Sequence, residues 1–298
     1  MMKLKLSLKN LARRVLNLCI IACLIGGCSS STTPTYQKED IEKSIQNICK
    51  NEYKLDVKVK LAGSTLWIYV PVEGLIEKSD KPEKFTEKFN IEQNKGEFAN
   101  GNFKFDYSIK PIPEQEKSQD FKYNKKVLEN INNVWKVLRR VIFSMKCAKG
   151  EEPKFYSLIF ADMNMGVQIK ELSYYLDLKK VSYGYISWEE YQHRSIVEQD
   201  LAPEAVQDRE GVHINYKDIA LEEFILAQIQ QRIKLKFQKP EVDKNIDIDT
   251  EILKVVEYTL KTYNFKGFSQ VELNNLLIKS KVILNRAAIW EKPIEKRF

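Results

Sequence analysis

Two hydrophobic periods occupy separate blocks of this chain, and that separation restricts the folds open to it. Val127, Ile131, Val134, Leu138, Val141, Ile142 and Met145 recur every three or four residues, as do Leu221, Ile225, Ile229, Ile233 and Phe237. Each set makes one apolar stripe on a helix, the second ended by Pro240. Leu55, Val57, Val59 and Leu61 instead alternate with charged residues, and after Gly63-Ser64 the run Thr65 to Val70 is β-rich until Pro71. That pattern predicts a hairpin. Asn100-Gly101, between Glu97-Phe98 and Phe103 to Tyr107, predicts a second one, stopped by Pro111 and Pro113.

Other elements follow the same logic. Ile41, Ile45 and Ile48 mark a helix over 39–52, and Ile252, Val255, Val256 and Leu260 another, with Asp249 as its N-cap. Phe155 to Phe160 reads as a buried strand, and 167–186 as one or two more, with Val181, Tyr183 and Tyr185 on one face. Ser187 and Glu190 form a capping-box pattern, and Pro203 starts a short helix. The charged stretch 77–97 reads as a loop or insertion, and 268–284 as strand-like. Because helices and hairpins do not alternate one to one, the expected class is α+β. The sheet is mainly antiparallel, with long amphipathic helices packed on it. A helix followed by an aromatic strand occurs near 127–160 and again near 252–273, a loose internal echo.

The N-terminus carries a different signal. Lys3, Lys5, Lys9, Arg13 and Arg14 precede the apolar run Val15 to Ile25, and Gly26-Gly27 lead into Cys28. The run is shorter than the roughly 20 residues of a permanent membrane helix, and its flanks are those of an export signal. Leu24-Ile25-Gly26-Gly27-Cys28 resembles the lipobox of bacterial lipoproteins. The resemblance implies cleavage before Cys28 and acylation of that cysteine, so that the mature protein is attached to a membrane through a palmitate-type lipid. Ser29 after the cysteine implies sorting to the periplasmic face of an outer membrane where one exists, and otherwise to the outer face of the cytoplasmic membrane.

The expected organisation is then a signal peptide over 1–27, a flexible tether over 28–38 beginning with the polar run Ser29 to Thr35, a main α+β domain over 39–240, and a helix–strand extension over 241–298 packed on it. Removing the signal changes the charge balance. The chain has 48 Lys and Arg against 41 Asp and Glu, and the five bases of residues 1–27 leave 43 against 41. A nearly neutral mature chain offers no electrostatic basis for nucleic-acid binding. Cys49 and Cys147 remain as thiols that an oxidising compartment could join in a disulfide. Cys49 equally continues the Ile41, Ile45 stripe as a small buried hydrophobe.

Motifs for chemistry are sparse. The chain has two histidines, His193 and His213. Glu190 and His193 have the i, i+3 spacing of dimetal helix-bundle sites, without the second copy such sites need. Asp243, Asp247, Asp249 and Glu251 lack the glycine and terminal glutamate spacing of a calcium loop. No nucleophile elbow, P-loop or dinucleotide fingerprint is present. The expectation is no metal, no cofactor and no catalytic residue. The aromatics Tyr174, Tyr175, Tyr183, Tyr185, Trp188 and Tyr191 fit one side of a core, and they also fit a ligand-binding surface, for which Tyr183, Tyr185, Trp188 and Tyr191 are the candidates. Beyond the lipobox the chain reads as an envelope lipoprotein acting as a scaffold, adaptor or assembly factor for other envelope proteins. A module binding a glycan or small ligand is the alternative, and a hydrolase of wall polymers a more distant one.

Overall fold

The computed structural model describes residues 36–148 and 150–291. The expected signal peptide, Cys28 and the run Ser29 to Thr35 lie outside these residues. The first sheet has five strands, β2 (Lys58–Ala62), β3 (Thr65–Val72), β7 (Phe155–Asp162), β8 (Val167–Tyr174) and β9 (Ile196–Leu201), adjacent in that order. The second has four, in the order β11 (Ser280–Asn285), β10 (Gln270–Asn275), β5 (Asn102–Tyr123) and β4 (Ile76–Ala99). A two-residue pairing joins β1 (Tyr36–Gln37) to β6 (Met145–Lys146). Seven α-helices complete the described residues: α1 (Ile41–Tyr53), α2 (Lys125–Phe143), α3 (Tyr175–Ser182), α4 (Trp188–Arg194), α5 (Leu221–Gln238), α6 (Ile248–Thr262) and α7 (Arg286–Glu291). The fold is α+β, and most strand pairs are antiparallel. Among the described residues no helix is long and apolar enough to cross a membrane.

The period-2 rule explains the layering. Leu66, Ile68 and Val70 of β3, with Tyr156, Leu158 and Phe160 of β7, face α1 and α2, where they meet Ile45, Cys49, Val134 and Leu138. Trp67, Tyr69, Phe155 and Ile159 face the other way and join a second core with α5 and α6. Helix α5 lies between the two sheets. Its Phe224 packs on Phe155 at 5.1 Å and its Phe237 on Phe89 of β4 at 5.2 Å. Phe103, Phe105, Tyr107 and Ile109 of β5 bury the inner face of the second sheet, while the intervening Lys104 and Asp106 face water. The order is therefore helices, sheet, helices, sheet. Trp67, Val127, Leu138, Phe160, Ile225 and Ile229 are buried as their periodicity requires, and Ile131 is partly buried.

The internal echo has a topological counterpart. In the first sheet the hairpin β2–β3 is met by the hairpin β7–β8, with β3 and β7 parallel and α2 leading into β7. In the second, β4–β5 is met by β10–β11, with β5 and β10 parallel and α6 the last helix before β10. The two units interleave along the chain. The segment after residue 240 is therefore no extension of a finished domain, because it supplies half of the second sheet.

Several local expectations are corrected. Residues 77–97 are not a loop: they form most of β4, a 24-residue strand paired with the 22-residue β5. Their apolar period is missing because the middle of this ribbon has no core beneath it. Cross-strand ion pairs stand in its place, Lys84–Glu116 at 2.7 Å, Lys117–Glu87 at 2.5 Å and Lys122–Glu77 at 3.3 Å. Pro111 and Pro113 do not stop β5. Beyond Tyr107 it has lost its β10 neighbour, and the pairing with β4 is irregular between Glu87 and Phe89, so missing N–H donors are tolerated. The turn itself is as expected, with Asn100 and Gly101 at φ of 52° and 73°. The tether does not reach residue 38, since Tyr36 N–H donates to Ser144 O at 3.2 Å and Lys38–Asp40 form a 3-10 turn. Strand β8 stops at Tyr174, so 175–186 is helix α3 and a turn through Gly184, at φ 75°. The cap of α6 is Asp247, which accepts from the N–H groups of Asp249 and Thr250.

Candidate functional site

A trough runs across the inner side of the first sheet, built by elements distant in sequence. Its first section, about 510 Å³, has β9 (Ile196 to Asp200) as one wall and β4 (Glu87, Phe89 to Ile91, Asn94) as the other. Its floor is α5, with Ala227, Gln230, Gln231, Lys234 and Gln238. The next section, about 300 Å³, shares Ile196, Glu198, Ala227 and Gln230 with the first and adds Trp67, Lys170 and Lys217. The last, about 620 Å³, again includes Trp67, Lys170 and Lys217 and ends at Leu201, Glu204, His213 and Asn215. Shared linings make these one continuous feature.

The two sides of the trough differ. Helix α5 covers part of β4, where Asn94 Nδ2 donates to Gln230 O at 2.9 Å and Gln230 Nε2 to Asn94 O at 3.1 Å. Among the described residues, strand β9 is the last of its sheet and pairs only with β8, which leaves its outer backbone edge open. Val197 and Leu201, four residues apart on one face of β9, are exposed. Amides are frequent in the polar lining, among them Asn90, Gln168, Gln199, Asn215, Gln230 and Gln231. Lys170 and Lys217 are balanced by Glu198 at 3.1 Å and Glu223 at 3.0 Å.

The far end of the trough is shaped by the loop 207–219, stapled onto β3. Trp67 Nε1 donates to Lys217 O at 2.8 Å, and Tyr69 OH to Asp208 O at 2.6 Å. Asp218 accepts from Ser64 N at 2.8 Å and Ser64 Oγ at 3.0 Å. Asp208 accepts from the N–H groups of Glu210, Gly211 and His213 and lies 2.5 Å from His213 Nδ1. Burial alone would raise the Asp208 pKa, but the His213 ring and these N–H groups bring it down to about 2. Gly211 is required here: at φ 68°, a Cβ would fall 2.4 Å from the Tyr216 hydroxyl. His213 Nε2 faces Gln168 Oε1 at 3.4 Å, so both ring nitrogens point at protein oxygens. No serine, threonine or cysteine lines that section, and its carboxylates Asp200 and Glu204 are exposed. The Asp–His pair thus fixes a loop and lacks a nucleophile to activate. Sequence reading missed this pair because the two residues lie in a stretch with no periodic pattern.

The candidate aromatics separate. Tyr183, Tyr185 and Trp188 are 65%, 80% and 54% exposed, on the turn after α3 and the start of α4, and none lines the trough. Tyr191 is 2% exposed and belongs to the core, its hydroxyl donating to Ser173 Oγ at 3.1 Å. Ser187 Oγ accepts from Glu190 N, but the Glu190 carboxylate does not close a capping box. It accepts from Arg194 Nε at 2.7 Å and from Tyr258 OH at 3.0 Å. That engagement also removes it from His193. Among the described residues no three His, Cys, Asp or Glu side chains gather in a metal-binding arrangement. Cys49 and Cys147 are free thiols, so of the two readings open for them the structure does not contain the disulfide. Cys49 is enclosed between α1 and α2 as a small hydrophobe, and burial pushes its pKa up to about 12, far from a reactive thiolate.

Glu171 is a half-buried acid whose surroundings disfavour its charge. Glu171 of β8 lies on the α2 side, where burial raises its pKa to about 7 against hydrogen bonds with Ser195, Ser173 and the Trp135 indole. The unfolded chain releases this proton near 4.5, so between about 4.5 and 7 unfolding releases a proton and stability falls as pH rises. A Glu171→Gln protein should lack that decline. Urea midpoints of both proteins across this range check it, and parallel pH profiles would refute it.

The chain matches no protein-family model, no curated protein and no solved structure.

Proposed function

We propose that this chain is an envelope lipoprotein, anchored through acylated Cys28, that works as a non-catalytic adaptor by holding an extended polypeptide segment of a partner in the trough. The open outer edge of β9 carries this reading. Unpaired N–H and C=O groups on a strand edge accept a further strand, and Val197 and Leu201, exposed on the face of β9 turned away from the trough, offer apolar contacts to the side chains of that strand on the same face. The amides of the lining suit peptide groups, and its carboxylates outnumber its lysines, which disfavours an acidic segment. A glycan is less well served. Trp67 and Phe89 are both buried, and the Trp67 N–H is occupied by Lys217 O, so the trough presents no open aromatic platform for a sugar ring. A wall hydrolase would need a carboxylate pair flanking a scissile bond, and the exposed Asp200 and Glu204 lack the buried setting that would tune one of them as an acid.

Photocrosslinking from position 231, on the trough floor, tests the adaptor role in intact envelopes. The expected result is a protease-sensitive adduct that disappears when Ala227→Arg fills the floor. A glycosidase-sensitive adduct would favour the glycan reading, and an adduct indifferent to Ala227→Arg would remove the trough from consideration. The anchor is tested separately: labelled fatty acid should enter the wild type and not Cys28→Ala.

A further inference from the structure

We infer that the turn carrying Tyr183, Tyr185 and Trp188 rests on the surface of the bilayer to which the chain is tethered, orienting the trough relative to the membrane. The inference builds on the lipid anchor proposed above. Its starting point is where the chain enters the fold. Tyr36 is hydrogen-bonded to Ser144 and paired with Met145, immediately after Phe143, the last residue of α2. Phe143 packs against Tyr183 at 5.7 Å, and Tyr183 against Tyr185 at 6.5 Å. Two helical turns back along α2, Trp135 packs on Tyr191 at 6.1 Å, and Trp188 stacks on Tyr191 at 5.2 Å. The exposed rings are thus held along α2, with Tyr183 and Tyr185 next to the entry point of the chain.

Distance makes contact with the membrane unavoidable to test. Cys28 precedes Tyr36 by eight residues, which span at most about 29 Å when fully extended. A lipid at Cys28 therefore keeps the end of α2 and its neighbouring rings within that reach of the headgroups. The chemistry of the turn matches such a surface. Tyrosine and tryptophan place an apolar ring and a polar tip at the boundary between acyl chains and water. Lys179 lies 4.2 Å from the centre of the Tyr175 ring, and Lys38 and Lys146 flank the entry strand. These cations suit lipid phosphates, and Glu151, Glu152 and Glu189 in the same region limit the attraction to a short-range one.

The test uses the acylated full chain in vesicles of phosphatidylethanolamine and phosphatidylglycerol whose acyl chains carry bromine close to the headgroup. Of the four tryptophans, Trp67 is buried, Trp135 and Trp290 are partly buried, and Trp188 is exposed. Bromine should quench the wild-type emission, and Trp188→Phe should lose most of that quenching. The double change Tyr183→Ser/Tyr185→Ser should also lose most of it while the protein stays vesicle-bound through its lipid. Acylated wild type without quenching would overturn the docking surface and leave the anchor standing. If Cys28 takes up no fatty acid, the same vesicles are mixed with unacylated full chain. Co-sedimentation lost in the Tyr183→Ser/Tyr185→Ser protein would uphold the surface and reject the anchor, and no co-sedimentation would overturn the surface as well. A photocrosslinker at position 185 that captures a polypeptide and no lipid would also overturn it.

Discussion

Replacing Asp177 by alanine is expected to lower stability by about 1–3 kcal/mol, the cost of removing one of the two carboxylates that pair with Arg194 and leaving its Nη1 hydrogen bond unmade. Asp177 is 1% exposed and accepts from Arg194 Nη1 at 2.9 Å, while Arg194 Nε is held by Glu190 at 2.7 Å. Arg232 approaches Glu190 at 3.9 Å and donates to Gln228 Oε1 at 3.0 Å, and Gln228 in turn donates to Arg194 O at 2.9 Å. The network links α3, α4 and α5, so its loss loosens the join between the first sheet and the central helices. Burial alone would raise the Glu190 pKa, but Arg194 and Arg232 hold it below the usual carboxylate range. Urea denaturation should show a lower midpoint with an unchanged slope. A change under about 1 kcal/mol would mean that water reaches Arg194, as for an ordinary surface pair.

Core truncation on either face of the first sheet should have comparable effects. Leu138→Ala opens a cavity between α2 and the sheet, and Ile229→Ala opens one in the core around α5 on the sheet's other side; both side chains are fully buried. Each should cost about 2–5 kcal/mol. The residues lie in different cores on opposite faces, so the double variant should be additive within roughly 0.5 kcal/mol. It should still unfold in one transition, because β3 and β7 carry both cores. Calorimetry checks this. Two separated transitions would show that the layers fold independently and that the shared sheet does not couple them.

What the sequence determined by itself was whatever local physics fixes. The stripes of α2 and α5, the hairpin at Gly63-Ser64 and the turn at Asn100-Gly101 depend on spacing within a dozen residues, and all stand where periodicity places them. The two readings of Cys49 stayed open in the sequence, and the packing of α1 on α2 encloses it as a small hydrophobe. The part of the ribbon away from its Asn100-Gly101 turn was illegible because its strands are held by charge pairs across the ladder, and a single strand rich in lysine and glutamate looks like a solvated loop. Tyr183 and Tyr185 misled because two residues on one strand face and two residues around a glycine turn have the same spacing. The trough required tertiary structure altogether. Its walls come from residues 87–94 and 196–201, its floor from 227–238 and its end from 213–217, and no local signal relates them. Only the packing of α5 between two sheets sets those segments side by side and leaves the edge of β9 open.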